Sequence, residues 1–139
     1  LAEQLRQRAI SPVEITRAYL DRIQTLDAKL NSYLTVTAER ALREAKTAEA
    51  QIQQGRYAGS LHGVPLAHKD IIATNGITTT CASKVLKDAV PDYDATVIER
   101  GGCRRRGWRC CGWRCRGKCR CGRVRIVAER RGRRWWKPW

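Results

Sequence analysis

At Arg100 the chain changes its chemistry, and that change limits what can fold. Residues 1–100 carry 13 Lys and Arg against 12 Asp and Glu, while residues 101–139 carry 15 against the single acid Glu129. The first segment has an ordinary mix of Ala, Leu, Ile and Val with one cysteine, Cys81, whereas the last 39 residues hold the other six cysteines and all five tryptophans. A core needs aliphatic side chains at periodic positions, and the second segment has too few to build one. Folding is therefore assigned to residues 1–100, and residues 101–139 are predicted to form a disordered basic Cys/Arg/Trp-rich tail. At 139 residues the chain suits one domain with a modest core and is too short for two. The net charge of +15 belongs to the tail, so it does not mark the folded part as a nucleic-acid binder.

The chain begins at Leu1 and contains no Met, which reads as a fragment. No run of about 18 apolar residues is present to cross a bilayer, and no basic-then-apolar leader precedes a small-residue cleavage site. The reading is a cytoplasmic protein with no membrane partner.

SPVE at 11–14 is a helix start: Ser11 can cap free N–H groups, Pro12 suits the first helical position and Glu14 can close a capping box. Ile15, Tyr19, Ile23, Leu26 and Leu30 then form one stripe on a helix over 12–29. NSYLTVT at 31–37 suits a short strand or extended link. Residues 37–54 are good helix formers, with Gly55 placed to end the helix and a narrow face of Ala38, Ala41, Leu42, Ala45, Ala48 and Ile52. From residue 59 the helical period stops: Val64–Ile72 reads as a buried strand, Asn75–Gly76 as a turn, and 77–80 as a second extended piece. Asp94 is a candidate cap for a helix from Ala95. The order helix, helix, strand, turn, helix predicts the opening of an α/β domain.

Lys69 is the residue that calls for chemistry. An ammonium at the end of a buried strand is costly unless it is paired or neutral. It can pair with Asp70 or reach solvent as an ordinary surface ion. Strand alternation, however, sends Lys69 and Asp70 to opposite faces, and burial would then lower the lysine pKa and make it a usable base. Gly63 permits close backbone approach and Pro65 fixes the entry to the strand. His62 and His68 share a face but lack a clustered carboxylate, which is weak grounds for a metal site. Cys81 lacks a suitably spaced histidine and is read as a buried structural thiol.

HGVPLAHKD, NGITTTCASKVL and VPDYDATVIER together resemble the N-terminal part of the amidase signature family, most closely its A subunits of glutamyl-tRNA(Gln)/aspartyl-tRNA(Asn) amidotransferases, over about residues 5–100. The resemblance implies a mixed-sheet α/β domain of which this chain holds the N-terminal helices and first strands. It also implies that Lys69 is the far member of a Ser–cis-Ser–Lys triad. In that triad a neutral lysine takes a proton, through a bridging serine, from the serine that attacks an amide carbon. Thr78–Thr80, Cys81 and Ser83 would shape the wall near the site. The family's catalytic serines lie in a later Gly/Ser-rich segment, while the serines here are Ser11, Ser32, Ser60 and Ser83, so the chain is expected to be inactive alone. The implied whole is a glutaminase that frees ammonia for misacylated tRNA, with B and C subunits as partners and ATP and Mg used by the complex; no cofactor is expected on this chain. An amidase acting on another small amide is the alternative within the family.

The tail departs from the family after VIER. Arg, Gly, Cys and Trp share G-rich codons, as a GC-rich gene yields when read out of frame. A one-base shift along Gly122–Ile126 permits Asp-Glu-Phe-Ala, part of the segment the resemblance calls for at this point. Zinc binding by Cys111, Cys115, Cys119 and Cys121 lacks paired C-x2-C knuckles. Fifteen cations interleaved with Trp would adhere to nucleic acid without a selected site, so a basic RNA- or zinc-binding adaptor acting through the tail is the alternative from another class.

Overall fold

The computed structural model describes residues 1–100 and 124–127. Its elements in chain order are α1 (Ala2–Arg6), α2 (Pro12–Leu30), α3 (Ala38–Gln53), β1 (Pro65–His68), α4 (Thr96–Arg100) and β2 (Val124–Val127).

The start of α2 is the capping box read from SPVE. Ser11 Oγ accepts from the Val13 and Glu14 N–H groups at 3.0 and 3.4 Å, and Glu14 Oε2 accepts from the Ser11 N–H at 3.1 Å. The Ser11 hydroxyl also donates to Glu49 Oε1, which ties the first turn of α2 to α3. At the far end Asn31 takes a left-handed φ of 48° and donates its N–H to the Asp27 carbonyl. Asp27 Oδ1 then accepts from the N–H groups of Ser32 and Tyr33, so the chain turns away at once.

Helices α2 and α3 pack on each other around Val13, Ile23, Ala41 and Ala45, with Leu20 and Tyr33 partly buried beside them. The alanine face of α3 behaves as predicted: Ala41, Ala45, Ala48 and Ile52 are buried. Small side chains let the helix axes approach closely. The stripe predicted on α2 holds only in part, because Tyr19, Leu26 and Leu30 are exposed and Val13 and Thr16 are buried instead. Thr16 tolerates burial because its hydroxyl donates to the Pro12 carbonyl at 2.7 Å.

After α3, Gly55 adopts φ 74° and closes the helix end. Gly63 brings the chain back against the start of α2, where an added Cβ would lie 2.9 Å from Pro12 Cγ. Only glycine fits there, and its φ of 78° independently selects it. Strand β1 follows at once.

Residues 31–37 form the link, one of their two readings, without strand pairing, and Asn75–Gly76 turns as expected, with 77–80 following and pairing only through a bridge from Ile77 to Thr74. Three expectations are corrected. The strand is shorter than Val64–Ile72 and only half-buried, since one partner strand leaves much of it uncovered. Helix α4 starts at Thr96, and Asp94 Oδ1 accepts from the Asn75 N–H. The third correction falls in the tail. Val124–Val127 pair in parallel with β1, in the register Pro65↔Val124 through His68↔Val127, so these four residues are not disordered. VRIV is the most β-branched run in the tail, and the open edge of β1 offers it a ladder. The cysteines and tryptophans of the tail lie outside the described residues.

Candidate functional site

Lys69 is the first residue past β1, and its side chain is exposed, because the strand ends at His68 instead of running on to Ile72. Of the two readings open for this amine, an ordinary ion that reaches solvent or a buried base, the present chain shows the first. Among the described residues it makes no ion pair or side-chain hydrogen bond. Asp70 is 3% exposed and forms no ion pair with it. The two charges do not neutralise each other, but both lie past the end of β1, so strand alternation is not the reason.

Asp70 is spent on Thr80. Its Oδ1 and Oδ2 accept from the Thr80 N–H at 2.8 and 3.0 Å, and Oδ2 also accepts from the Thr80 hydroxyl at 2.5 Å. A buried carboxylate with charge-assisted donors is well satisfied, so it serves as a clamp. The clamp locks the Lys69–Asp70 step onto the start of the TTCASK stretch. Beyond Thr80 the chain turns sharply: Cys81 and Ala82 both take left-handed φ values, 50° and 56°. Such conformations cost a non-glycine residue about 1 kcal/mol each. They are held by bonds from the Ala82 N–H to Thr80 Oγ1 (3.2 Å) and from the Ser83 N–H to the Thr80 carbonyl (2.8 Å). Cys81 is free and exposed, not the buried thiol expected.

The stretch at 89–95 runs beside 73–79. Bonds link the Thr79 N–H to the Ala89 carbonyl, Gly76 N–H to Pro91, Asn75 Nδ2 to Asp92, and Ala95 N–H to Ala73. With the Asp70–Thr80 clamp, these bonds make HGVPLAHKD, NGITTTCASKVL and VPDYDATVIER one connected lobe that presents Lys69. Sequence reading passed over Asp70 and Thr80 as partners. The available signal was an acid beside the candidate lysine followed ten residues later by a threonine cluster.

The two histidines are engaged separately. His62 is 4% exposed; its Nδ1 accepts from the Ala58 N–H at 2.9 Å, which leaves Nε2–H to donate to Gln51 Oε1 at 3.0 Å. Burial pushes its pKa below the usual imidazole range. His68 Nε2 lies 2.7 Å from Thr74 Oγ1. Among the described residues no group of three His, Cys, Asp or Glu is placed to hold a metal ion. No described helix is long and apolar enough to cross a membrane.

The model of the Amidase family matches residues 14–101. The A subunit of the glutamyl-tRNA(Gln) amidotransferase of Saccharophagus degradans is 52% identical over 94 residues, 68% of this chain and 19% of that protein. Its counterpart from Acinetobacter baumannii is 51% identical over 100 residues, 72% of this chain and 20% of that protein. Among solved structures, the peptide amidase of Stenotrophomonas maltophilia superposes with a TM-score of 0.68 at 26% identity, over 92% of this chain and 23% of that one. A fatty acid amide hydrolase, at 15% identity and a TM-score of 0.71, shares the fold over 93% of this chain and 20% of its own. The chain thus spans about a fifth of the length of the curated relatives it matches. Both the family match and the lobe that joins the three stretches lead to one conclusion: this chain belongs to the amidase family.

Proposed function

We propose that this chain is the lysine-bearing N-terminal part of the A subunit of a tRNA-dependent amidotransferase, and that Lys69 is the terminal base of its amide-hydrolysing triad. The observation that carries this reading is the half-identity to amidotransferase A subunits across the lobe whose Asp70–Thr80 clamp presents Lys69. In the completed site, the Lys69 amine accepts the proton of the attacking serine through a bridging serine hydroxyl. The serine oxygen bonds to the glutamine amide carbon, the C–N bond breaks, and Lys69 returns the proton to the departing ammonia. Water then releases glutamate. None of Ser11, Ser32, Ser60 and Ser83 is assigned to the attacking or bridging role, and residues 1–100 by themselves are expected to release no ammonia from glutamine. Glutamine is the substrate, B and C subunits and misacylated tRNA are the partners, and ATP and Mg serve the complex rather than this chain. The setting is cytoplasmic.

A chimera tests this directly: residues 1–100 replace the matching stretch of the Saccharophagus degradans relative, and ammonia release from glutamine is measured. Lys69→Ala is expected to cut the rate by a factor of about 100 or more. An active chimera indifferent to Lys69→Ala would refute the assignment. The match to a peptide amidase over 92% of the chain supports a second reading, hydrolysis of another amide; a chimera that cleaves small amides and spares glutamine would select it. For the tail, we infer a frame change. What supports it is the bias of residues 101–123 toward Arg, Gly, Cys and Trp, which share G-rich codons, and the one-base shift along Gly122–Ile126 that permits Asp-Glu-Phe-Ala. Sequencing the gene across residues 90–139 decides this, and an unaltered frame would leave the cationic tail to be tested for zinc content and salt-dependent RNA binding.

A further inference from the structure

The Asn75–Gly76 turn is where three parts of the chain meet. The Asn75 N–H donates to Asp94 Oδ1 at 2.9 Å, its side-chain Nδ2 donates to the Asp92 carbonyl at 2.6 Å, and its own carbonyl accepts from Arg40 Nη1 of α3 at 2.9 Å. The next N–H, that of Gly76, donates to the Pro91 carbonyl at 2.9 Å. Both residues nevertheless lie at the surface, and the space that a Cβ on Gly76 would enter is open. This places a carboxamide beside a reactive neighbour. The Asn75 side-chain carbon can close a five-membered ring onto the Gly76 nitrogen, and glycine puts no side chain in the way. What withholds the ring closure is the stretch opposite: Pro91 holds the nitrogen that would attack, and Asp92 holds the nitrogen that would leave.

We propose that Asn75 is a self-deamidation site kept latent by the 91–94 stretch, and that it reacts when that stretch lets go of the turn. The Gly76 nitrogen bonds to Asn75 Cγ and gives up its proton, the Cγ–Nδ2 bond breaks, and ammonia departs to leave a cyclic imide. Water then opens the imide at either carbonyl, giving aspartate or isoaspartate at position 75. Amide and water become acid and ammonia, with no oxidant, metal or second protein required. The opening then cannot be reversed by re-closing. A carboxylate at 75 has no N–H for the Asp92 carbonyl and brings a second negative charge beside Asp94. An isoaspartate also adds a carbon to the backbone, which shifts 73–79 against 89–95 and breaks the register of the Gly76–Pro91, Thr79–Ala89 and Ala95–Ala73 bonds. The site thus records opening of the lobe that carries Lys69, whatever reaction Lys69 serves.

The test incubates the full chain, reduced, in mildly alkaline buffer with and without urea. A brief digest after Lys69 and Lys84 isolates residues 70–84 with Asn75, and cleavage after Lys29 and Arg40 isolates 30–40 with Asn31, the other asparagine of the chain. Conversion is read at each from the mass difference between amide and acid, and isoaspartate from enzymatic methyl labelling. In the folded chain Asn75 should convert at least about tenfold more slowly than in urea, because reaction waits for local opening. Asp94→Ala removes the acceptor of the Asn75 N–H and should raise the folded-state rate about fivefold, whereas Asp94→Asn keeps an acceptor oxygen and should stay near the wild type. Asn31 guards against simple unfolding, since the Ser32 nitrogen that would attack it is held by Asp27 Oδ1 at 2.6 Å at the end of α2. Below the urea midpoint Asn75 should quicken while Asn31 does not, a comparison that needs no variant. Hydrogen exchange at Gly76, Thr79 and Ala95 should be faster in the converted chain. Equal rates at Asn75 in folded and unfolded chains, a rise at Asn75 only together with Asn31, no conversion at Asn75 even in urea, or unchanged exchange after conversion overturns the proposal.

Discussion

The α2–α3 pair and the 70–97 lobe solve the same problem in opposite ways. The helices bury Val13, Ile15, Ile23 and an alanine seam, and their stability comes from apolar packing. The lobe buries a carboxylate and two threonines, and its shape comes from hydrogen bonds such as Asp70–Thr80 and Asn75–Asp94. Packing of the first kind depends on apolar side chains meeting across a seam. In the hydrogen-bonded lobe the polar groups hold the shape that presents Lys69, and the large apolar residues face solvent.

The contrast breaks most sharply with one chemical change placed in each region. Ala45→Asp puts a charge into the fully buried seam between α2 and α3 and should cost more than about 3 kcal/mol, enough to abolish helical circular dichroism in this small domain. Val97→Asp, on the exposed face of the lobe, should stay within about 0.5 kcal/mol in the same denaturation experiment. Equal losses at the two sites would mean that the lobe's apolar residues already have partners.

Next in size is the clamp. Asp70→Ala leaves the Thr80 N–H and hydroxyl without their acceptor, a loss of about 1–3 kcal/mol. The loss should be local. Hydrogen exchange should quicken at Thr80 and Ser83 while the amides of α2 and α3 keep their protection, and uniform quickening would show that the two regions unfold as one. Gly63→Ala probes the junction between them. Its Cβ would meet Pro12 Cγ at 2.9 Å in a left-handed backbone, so we expect a cost of about 1–2 kcal/mol felt by both regions, read as a shared fall in the thermal midpoint.

The two regions also differ in how far the sequence discloses them. Helix caps act through near neighbours, so SPVE and Gly55 mark the ends of α2 and α3 almost to the residue. The α2 stripe misleads at Tyr19, Leu26 and Leu30 because periodicity says which side chains share a face, not whether anything covers that face. In the lobe the determining contacts are tertiary. Nothing local says that Asp70 will spend its carboxylate on Thr80, or that the strand will stop before Lys69 and leave the amine in solvent. Strand β2 was illegible for the same reason: a four-residue VRIV run in a cationic tail becomes a strand only because β1 offers an edge.

The smallest expected effect is a pH response at the hinge between the regions. His62 closes the turn that leads from α3 into β1, accepting the Ala58 N–H at Nδ1 and donating from Nε2 to Gln51, with the Tyr57 ring tilted against it at 5.7 Å. Protonating Nδ1 destroys an acceptor in a buried place, and burial alone accounts for the lowered pKa. The sign follows from linkage. Below the ordinary imidazole value of 6.5 the unfolded chain binds a proton that the folded chain resists, so stability is complete above that pH and declines as the pH falls through the folded value. Carboxylates titrate at lower pH and add their own loss, so the informative quantity is the difference between the wild type and His62→Phe. The urea midpoint of the wild type should fall more steeply between pH 7 and pH 5 than that of the variant, which keeps His68 and every carboxylate. Parallel slopes would mean that the turn yields before His62 is charged, and that the junction is held by Gly63 against Pro12 instead of by the imidazole.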